Sequence, residues 1–156
     1  MNLQVLNFWN KYKTFCDIGH DNFSVAEFGD SPEMGDRLAD LIHRGVKTAT
    51  CSSYQAYLDS KDALPEVGSF FVVITAKGDP LCICQVTDVR IGSFNSVDAA
   101  FAFEEGEDDR TLDPWTREHR RFFGLSSPDA FQEQESFQVV FERFQLVWPR
   151  ADDCTT

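Results

Sequence analysis

Basic residues are scarce in this chain. Lysine and arginine total 14 against 26 aspartates and glutamates in 156 residues, a formal net charge of −12. A protein that grips a long polyanion offers a basic stripe, because neutralised phosphates supply most of the non-specific affinity. The nearest approach to one is Arg117, Arg120 and Arg121, which Glu118 and the acidic stretch before them partly offset. The field of the whole molecule repels nucleic acid at low salt. DNA is therefore not expected as a partner and RNA is disfavoured. A small neutral or weakly charged substrate fits better.

Long apolar runs are also missing. No stretch approaches the roughly 18 uninterrupted apolar residues of a membrane span, and Met1-Asn2-Leu3-Gln4-Val5 lacks the basic start and apolar run of a signal peptide. A cytoplasmic protein without membrane contact is the expectation. The five cysteines, at 16, 51, 82, 84 and 154, are odd in number and form no zinc-knuckle pairs. Cys82 and Cys84 sit two apart in an apolar run, so a strand would point both thiols to one face. They read as reduced structural thiols, with no metal site and no cofactor expected. Glycine-rich phosphate loops and internal repeats are absent as well.

What is present is enough for a core: 42% of residues are hydrophobic and 15 are phenylalanine. Leu3, Val5, Leu6, Phe8, Trp9, Tyr12 and Phe15 recur at helical spacing. Residues 21–30 read as a short extended piece. Ser31-Pro32-Glu33 is a helix start, with a hydroxyl N-cap, proline at the first helical position and an acid favoured by the dipole. That helix ends at Gly45 with Arg44 in its last turn. Strands are predicted over 48–52, 69–75 and 81–90, the last two as a hairpin. Short helices are predicted over 96–103 and 113–123, and one or two strands over 135–148. Residues 1–149 read as one α+β domain followed by a polar tail, 150–156.

Two segments carry candidate chemistry: Gly45-Val46-Lys47-Thr48-Ala49-Thr50 and Glu104-Glu105-Gly106-Glu107-Asp108-Asp109. Lysine, threonine and a carboxylate suffice to activate a hydroxyl nucleophile if they meet in a pocket. On a regular strand positions 47 and 50 face opposite sides. Their cooperation requires a turn or bulge between Gly45 and Ala49. The acidic segment alone reads as a solvated, self-repelling loop, or as a hinge at Gly106 that returns a carboxylate to Lys47. Spacing leaves open whether Glu105 or Glu107 faces inward. Trp115, His119, Phe122 and Phe123 follow at helical spacing, and His119 can carry a proton near neutrality. Tyr54 and Tyr57 can stack on a base. Glu105, Tyr54, His119 and Arg44 are taken as substrate contacts.

These pieces, in their order and spacing, resemble the ASCH domain family of the PUA-like superfamily. They are joined by Phe28-Gly29-Asp30-Ser31-Pro32-Glu33, Leu64-Pro65-Glu66-Val67-Gly68 and Trp115-Thr116-Arg117-Glu118-His119-Arg120-Arg121-Phe122-Phe123. The resemblance implies a small, mostly antiparallel β-barrel with flanking helices. Some members are amidohydrolases that remove the acetyl group of N4-acetylcytidine with a lysine, a threonine three residues later and a distant glutamate. That pattern places Lys47, Thr50 and Glu107 as catalytic residues, with Glu105 the second choice for the acid. Lys47 would act as a base, neutral for part of the time. The resemblance thus implies a metal-independent hydrolase of a nucleoside substrate. Its other members imply the alternatives: an RNA- or nucleotide-binding module, or a metal-dependent ribonuclease.

Overall fold

The computed structural model describes residues 1–125 and 130–150. Helix α1, Leu3–Phe15, is capped by the Asn2 side chain, which accepts from the backbone N–H of Gln4. Strand β1 is Phe23–Ala26 and helix α2 is Pro32–His43, whose N-cap Ser31 accepts from Met34 N–H. Gly45 ends that helix at φ 73°, the left-handed conformation expected of it. Strand β2, Ala49–Ser53, runs directly into α3, Tyr54–Ser60. The hairpin is β3, Phe70–Ile74, and β4, Pro80–Ser93. A 3-10 turn at Phe94–Ser96 leads to α4, Ala99–Glu105, then α5, Leu112–Phe122, and α6, Ala130–Ser136. One strand, β5, Gln138–Trp148, closes the order.

Two helices were not anticipated. The strand-like stretch at 48–52 continues as α3 because Ser53 caps the next turn, its side chain accepting from Ala56 N–H. That helix buries no residue, so it leaves no apolar periodicity to read. Helix α6 takes residues 135 and 136 from the predicted late strand. Most of the polar tail, 151–156 with Cys154, lies outside the described residues.

The barrel expectation needs correction. The five strands form an open sheet in the order β1-β3-β4-β5-β2. Three pairings are antiparallel, but β1 runs parallel to β3, with Phe23 beside Phe70. The chain reaches β3 from β1 by the long crossover through α2, β2 and α3, which parallel pairing requires. Strands β1 and β2 are the two edges and do not pair with each other.

Alternation distributes the sheet between two cores. Phe70, Val72 and Ile83 pack under α1 with Val5, Trp9 and Tyr12; Trp9 stacks on Phe23 at 4.6 Å between ring centroids. Phe71, Val73, Cys82, Cys84 and Val86 face the other way, against Ala39 and Ile42 of α2 and Phe144. Cys82 and Cys84 thus share a face, as their spacing predicted. A third cluster, Ala49, Phe94, Phe101, Trp115, Val139 and Phe141, seats α4 and α5 on the far end of the sheet. No helix among the described residues is long and apolar enough to cross a membrane.

Candidate active site

A cleft of ≈ 880 Å3 opens where the barrel fails to close. Residues of β1 (Ser24, Val25, Ala26) and of β2 (Thr50, Cys51, Ser52) both line it. The cleft thus lies between the two sheet edges, and its lining is mixed, with Val25, Phe71 and Phe122 beside Ser24, Thr50 and Ser52.

Lys47 enters the cleft from an irregular link. After Gly45 the backbone N–H of Val46 and of Lys47 both donate to Leu41 O, and regular strand begins only at Ala49. The turn that cooperation of Lys47 with Thr50 requires is therefore present, and both residues line the cleft. The acidic segment lies against this link. Helix α4 starts at Asp98, which accepts from Phe101 N–H at 2.8 Å, and stops at Gly106 with φ 72°. A Cβ on Gly106 would come within 2.7 Å of Val46 O. Glycine is thus needed both for the turn and for the close approach. Thr48 N–H donates to Glu104 O at 2.7 Å, which ties the two segments together.

The acidic run is not a self-repelling loop. Glu104 pairs with Arg143 Nε at 2.6 Å, and Asp109 accepts from the backbone N–H and the hydroxyl of Thr111. Glu105 and Glu107 both point at Lys47, with Nζ 2.5 Å from Glu105 Oε2 and 3.4 Å from Glu107 Oε2. Lys47 is 2% exposed and Glu105 1%. The question left open by the sequence thus has a double answer: Glu105 is buried behind the lysine, and Glu107 stands in front of it, facing the cleft.

The charges settle accordingly. Burial pulls the Lys47 amine down, but Glu105 and then Glu107 more than offset it and hold its pKa above the ordinary lysine value. Burial likewise pushes Glu105 up, and the Lys47 ammonium outweighs this and leaves its carboxyl below the ordinary value. The pair is an ammonium carboxylate, and Lys47 is not the partly neutral base that sequence reasoning expected. Glu107 differs: burial pushes it up to about 7, Lys47 only partly opposing.

His119 is fixed behind Glu105. Its ring stacks on Trp115 at 4.1 Å, and Nδ1 lies 2.8 Å from Trp115 O, an acceptor, so Nδ1 carries the proton. Nε2 then faces Glu105 Oε1 at 3.6 Å. Burial holds the His119 pKa below its ordinary value. Cys51 Sγ, a Glu105 oxygen and a His119 nitrogen lie within 4.8 Å of one another, the residues here that could hold a metal ion.

Two expected contacts fall elsewhere. Arg44 is at the surface, paired with Asp40 at 3.2 Å, and does not line the cleft. Tyr54 opens α3 outside the lining, whereas Tyr57, one turn later, is in it. Sequence reasoning missed Glu142, which is 8% exposed and lies directly across from Thr50 on the paired strand. The readable signal was an acid inside the apolar stretch Val139-Val140-Phe141-Glu142.

The family model for the ASCH domain matches residues 24–148. No curated protein matches the chain. Among solved structures, the ASCH domain from Lactobacillus crispatus JV V101 superposes with a TM-score of 0.80 and 30% identity, covering 94% of this chain and 95% of its own. A protein from Enterococcus faecalis V583 gives a TM-score of 0.79 and 35% identity, with 94% of each chain covered. A variant ASCH protein from Zymomonas mobilis, 11% identical with a TM-score of 0.51 over 84% of this chain and 74% of its own, is similar in fold alone. The match runs from β1 through β5 and takes in every residue of the Lys47 cluster: the chain belongs to the ASCH domain family.

Proposed function

We propose that the cleft is the active site of an amide hydrolase whose substrate is an acylated nucleoside of the N4-acetylcytidine kind. The observation that supports this reading is the buried Lys47–Glu105–Glu107 cluster in a cleft whose wall also carries Thr50. Thr50 is the nucleophile, and its Oγ attacks the acyl carbonyl carbon. Glu107, with acid and carboxylate forms both populated near neutrality, takes the hydroxyl proton. It returns that proton to the departing nitrogen as the C–N bond breaks. Water then attacks the acyl-threonine in the same manner, releasing the carboxylic acid and restoring the hydroxyl.

Lys47 acts here as a fixed positive charge. Glu105 holds it from behind through Oε2, so the ammonium is oriented before substrate arrives. Together with unpaired N–H groups at the edge of β2, it stabilises the oxyanion; one such donor is typically worth ~3 kcal/mol. The test is a chromatographic assay of N4-acetylcytidine with wild type, Lys47→Ala and Thr50→Ala. Release of cytidine by wild type alone is the expected result. Equal release by all three proteins would sink the reading.

A second reading has one observation in its favour. Cys51, Glu105 and His119 are spaced to accept a transition metal, as a metal-dependent ribonuclease would need. Chelator separates the two: the threonine route survives it, and a metal route does not.

A further inference from the structure

The ion pairs of the Lys47 cluster account for only one oxygen of Glu105. Lys47 Nζ takes Oε2, whereas Oε1 is buried and has no hydrogen-bond partner among the described residues. A buried polar atom left in that state needs a reason. The group facing Oε1 is His119 Nε2, 3.6 Å away. Because Nδ1 donates to Trp115 O, Nε2 carries a lone pair, and neither atom can donate to the other. A cation between them satisfies both.

Cys51 decides which cation. A proton shared by the two atoms needs no third group, yet Cys51 Sγ lies within 4.8 Å of the ligating atoms of Glu105 and His119. Bonds of ~2.0 Å to nitrogen and oxygen and ~2.3 Å to sulfur set the ligands of a tetrahedral ion roughly 3.3–3.6 Å apart. The Oε1–Nε2 pair already has that spacing, and the thiol reaches it by moving about an ångström. Thiolate, imidazole and carboxylate together suit Zn2+ or Co2+, whereas Mg2+ and Ca2+ prefer oxygen alone. The outer contact is in place as well: the Trp115 carbonyl accepts from Nδ1–H and so orients the imidazole, as at most ligating histidines. The charges also balance, since the ion and Lys47 face the Cys51 thiolate and the carboxylates of Glu105 and Glu107. All three ligand residues line the cleft, which gives the ion a way in.

We propose that Cys51 Sγ, Glu105 Oε1 and His119 Nε2 form a binding site for a zinc-type divalent ion, with Glu105 bridging the ion to Lys47 and a fourth position open to the cleft. The thiol proton passes to solvent as the sulfur–metal bond forms. The site shares its residues with the second reading above but rests on neither reaction, because the ligand atoms alone assign the ion. Filling it also joins three elements, since Cys51 is on β2, Glu105 on α4 and His119 on α5.

The experiment is a titration of the metal-stripped full chain with Co2+, followed by absorption. One Co2+ per chain is expected, with a thiolate-to-cobalt charge-transfer band in the near ultraviolet. Zn2+ should erase that band and excess Mg2+ should not. Cys51→Ser and His119→Gln are each expected to weaken Co2+ binding at least about a hundredfold, more than the loss of an outer contact costs. Cys51→Ser also loses the band, whereas Cys16→Ser, which alters an exposed thiol outside the cleft lining, keeps both. Zn2+ should raise the unfolding temperature of wild type and leave that of Cys51→Ser unchanged. Scans without metal show that the variants are folded, and either one suffices should the other unfold. No band in wild type, a band that survives in Cys51→Ser, undiminished affinity in His119→Gln, or displacement by Mg2+ overturns the proposal. A loaded protein that leaves RNA intact removes the ribonuclease reading and leaves the site standing. Zinc-dependent RNA cleavage undiminished in Cys51→Ser does the reverse.

Discussion

Glu105 and Glu142 line the same cleft and are almost equally closed to solvent, at 1% and 8% exposure, yet they hold protons with opposite strength. Burial pushes both up. For Glu105 the ammonium of Lys47, 2.5 Å away, more than cancels the push, and the carboxyl ends below its ordinary value. For Glu142 nothing opposes burial, and it rises to about 7. Desolvation sets a common cost for a charge; the neighbour decides whether that cost is met. One carboxylate has a cation against its Oε2, although its Oε1 has no hydrogen-bond partner among the described residues. The other lines the cleft with no charge to offset its burial, and in this sense the cleft has a built end and a receiving end.

The sharpest way to break this contrast is to make Glu105 resemble Glu142. Lys47→Ala strips the buried carboxylate of its partner, and the urea-unfolding free energy is expected to fall by ~3 kcal/mol at neutral pH. In the variant the Glu105 carboxyl, no longer opposed, takes up a proton at higher pH than before. Unfolding curves across pH follow that shift. Unchanged stability would mean that the pair contributes nothing beyond its own desolvation.

The opposite change sharpens the contrast at the receiving end. The Glu142 carboxyl is raised from 4.5 to about 7 in the folded protein. Below pH 4.5 both folded and unfolded chains carry the proton, and the group is neutral in its effect. Between 4.5 and 7 the unfolded chain releases the proton while the folded chain keeps it, so stability falls as pH rises, and above 7 the whole penalty is present. Glu142→Gln removes this slope. At pH 8 the variant is expected to be more stable than wild type by about 3 kcal/mol, and at pH 4 to match it. Glu107, also raised to about 7, adds a slope of the same sign that the substitution leaves in place. Denaturant midpoints at the two pH values are the measurement, and a variant less stable than wild type at pH 8 would show that Glu142 has a partner in the fold.

The two ends were unequally legible in the sequence. Lys47, Thr50 and the acidic segment stood out because a helix-ending glycine and a dense run of carboxylates are local signals. The helix start at Ser31-Pro32 and the β3–β4 hairpin were legible for the same reason. Glu142 is a single acid on a strand, and its meaning depends on Thr50 being its register partner, 92 residues away in the chain. Pairing across that distance is set by the packed sheet. The open sheet was illegible too, since whether β1 and β2 join is decided by the crossover between them. The charge state of Lys47 was misjudged because one carboxylate was expected beside it and two are there.

Gly106 allows a smaller perturbation of the built end that leaves every charge in place. Its φ of 72° and the 2.7 Å approach of a Cβ to Val46 O both oppose a side chain. Gly106→Ala is expected to cost ~1–2 kcal/mol. The strain falls on the Val46–Lys47 link, so hydrolysis should decline beyond what the loss of folded protein explains. Comparing the rate at saturating substrate with the folded fraction from circular dichroism distinguishes the two. A fall in stability alone would mean that the Lys47 cluster absorbs the displacement.

The smallest effect comes from an ion pair that looks alike on paper. Arg44 and Lys47 are three residues apart and each reaches a carboxylate, yet the side chains of Arg44 and Asp40 are 60% and 58% exposed, against 1% for both Lys47 and Glu105. In water the Arg44 pair gains little from attraction, gives up side-chain freedom to form, and is screened by salt. Arg44→Ala is therefore expected to change the unfolding free energy by only ~0.3 kcal/mol, and by less in 1 M salt. The Lys47→Ala deficit should persist at the same ionic strength, because ions do not enter a site closed to solvent. Measuring both variants at low and high salt isolates burial as the one variable separating two otherwise similar pairs. Equal salt sensitivity would place the Lys47 cluster in contact with solvent, and the distinction between a built and a receiving end would go with it.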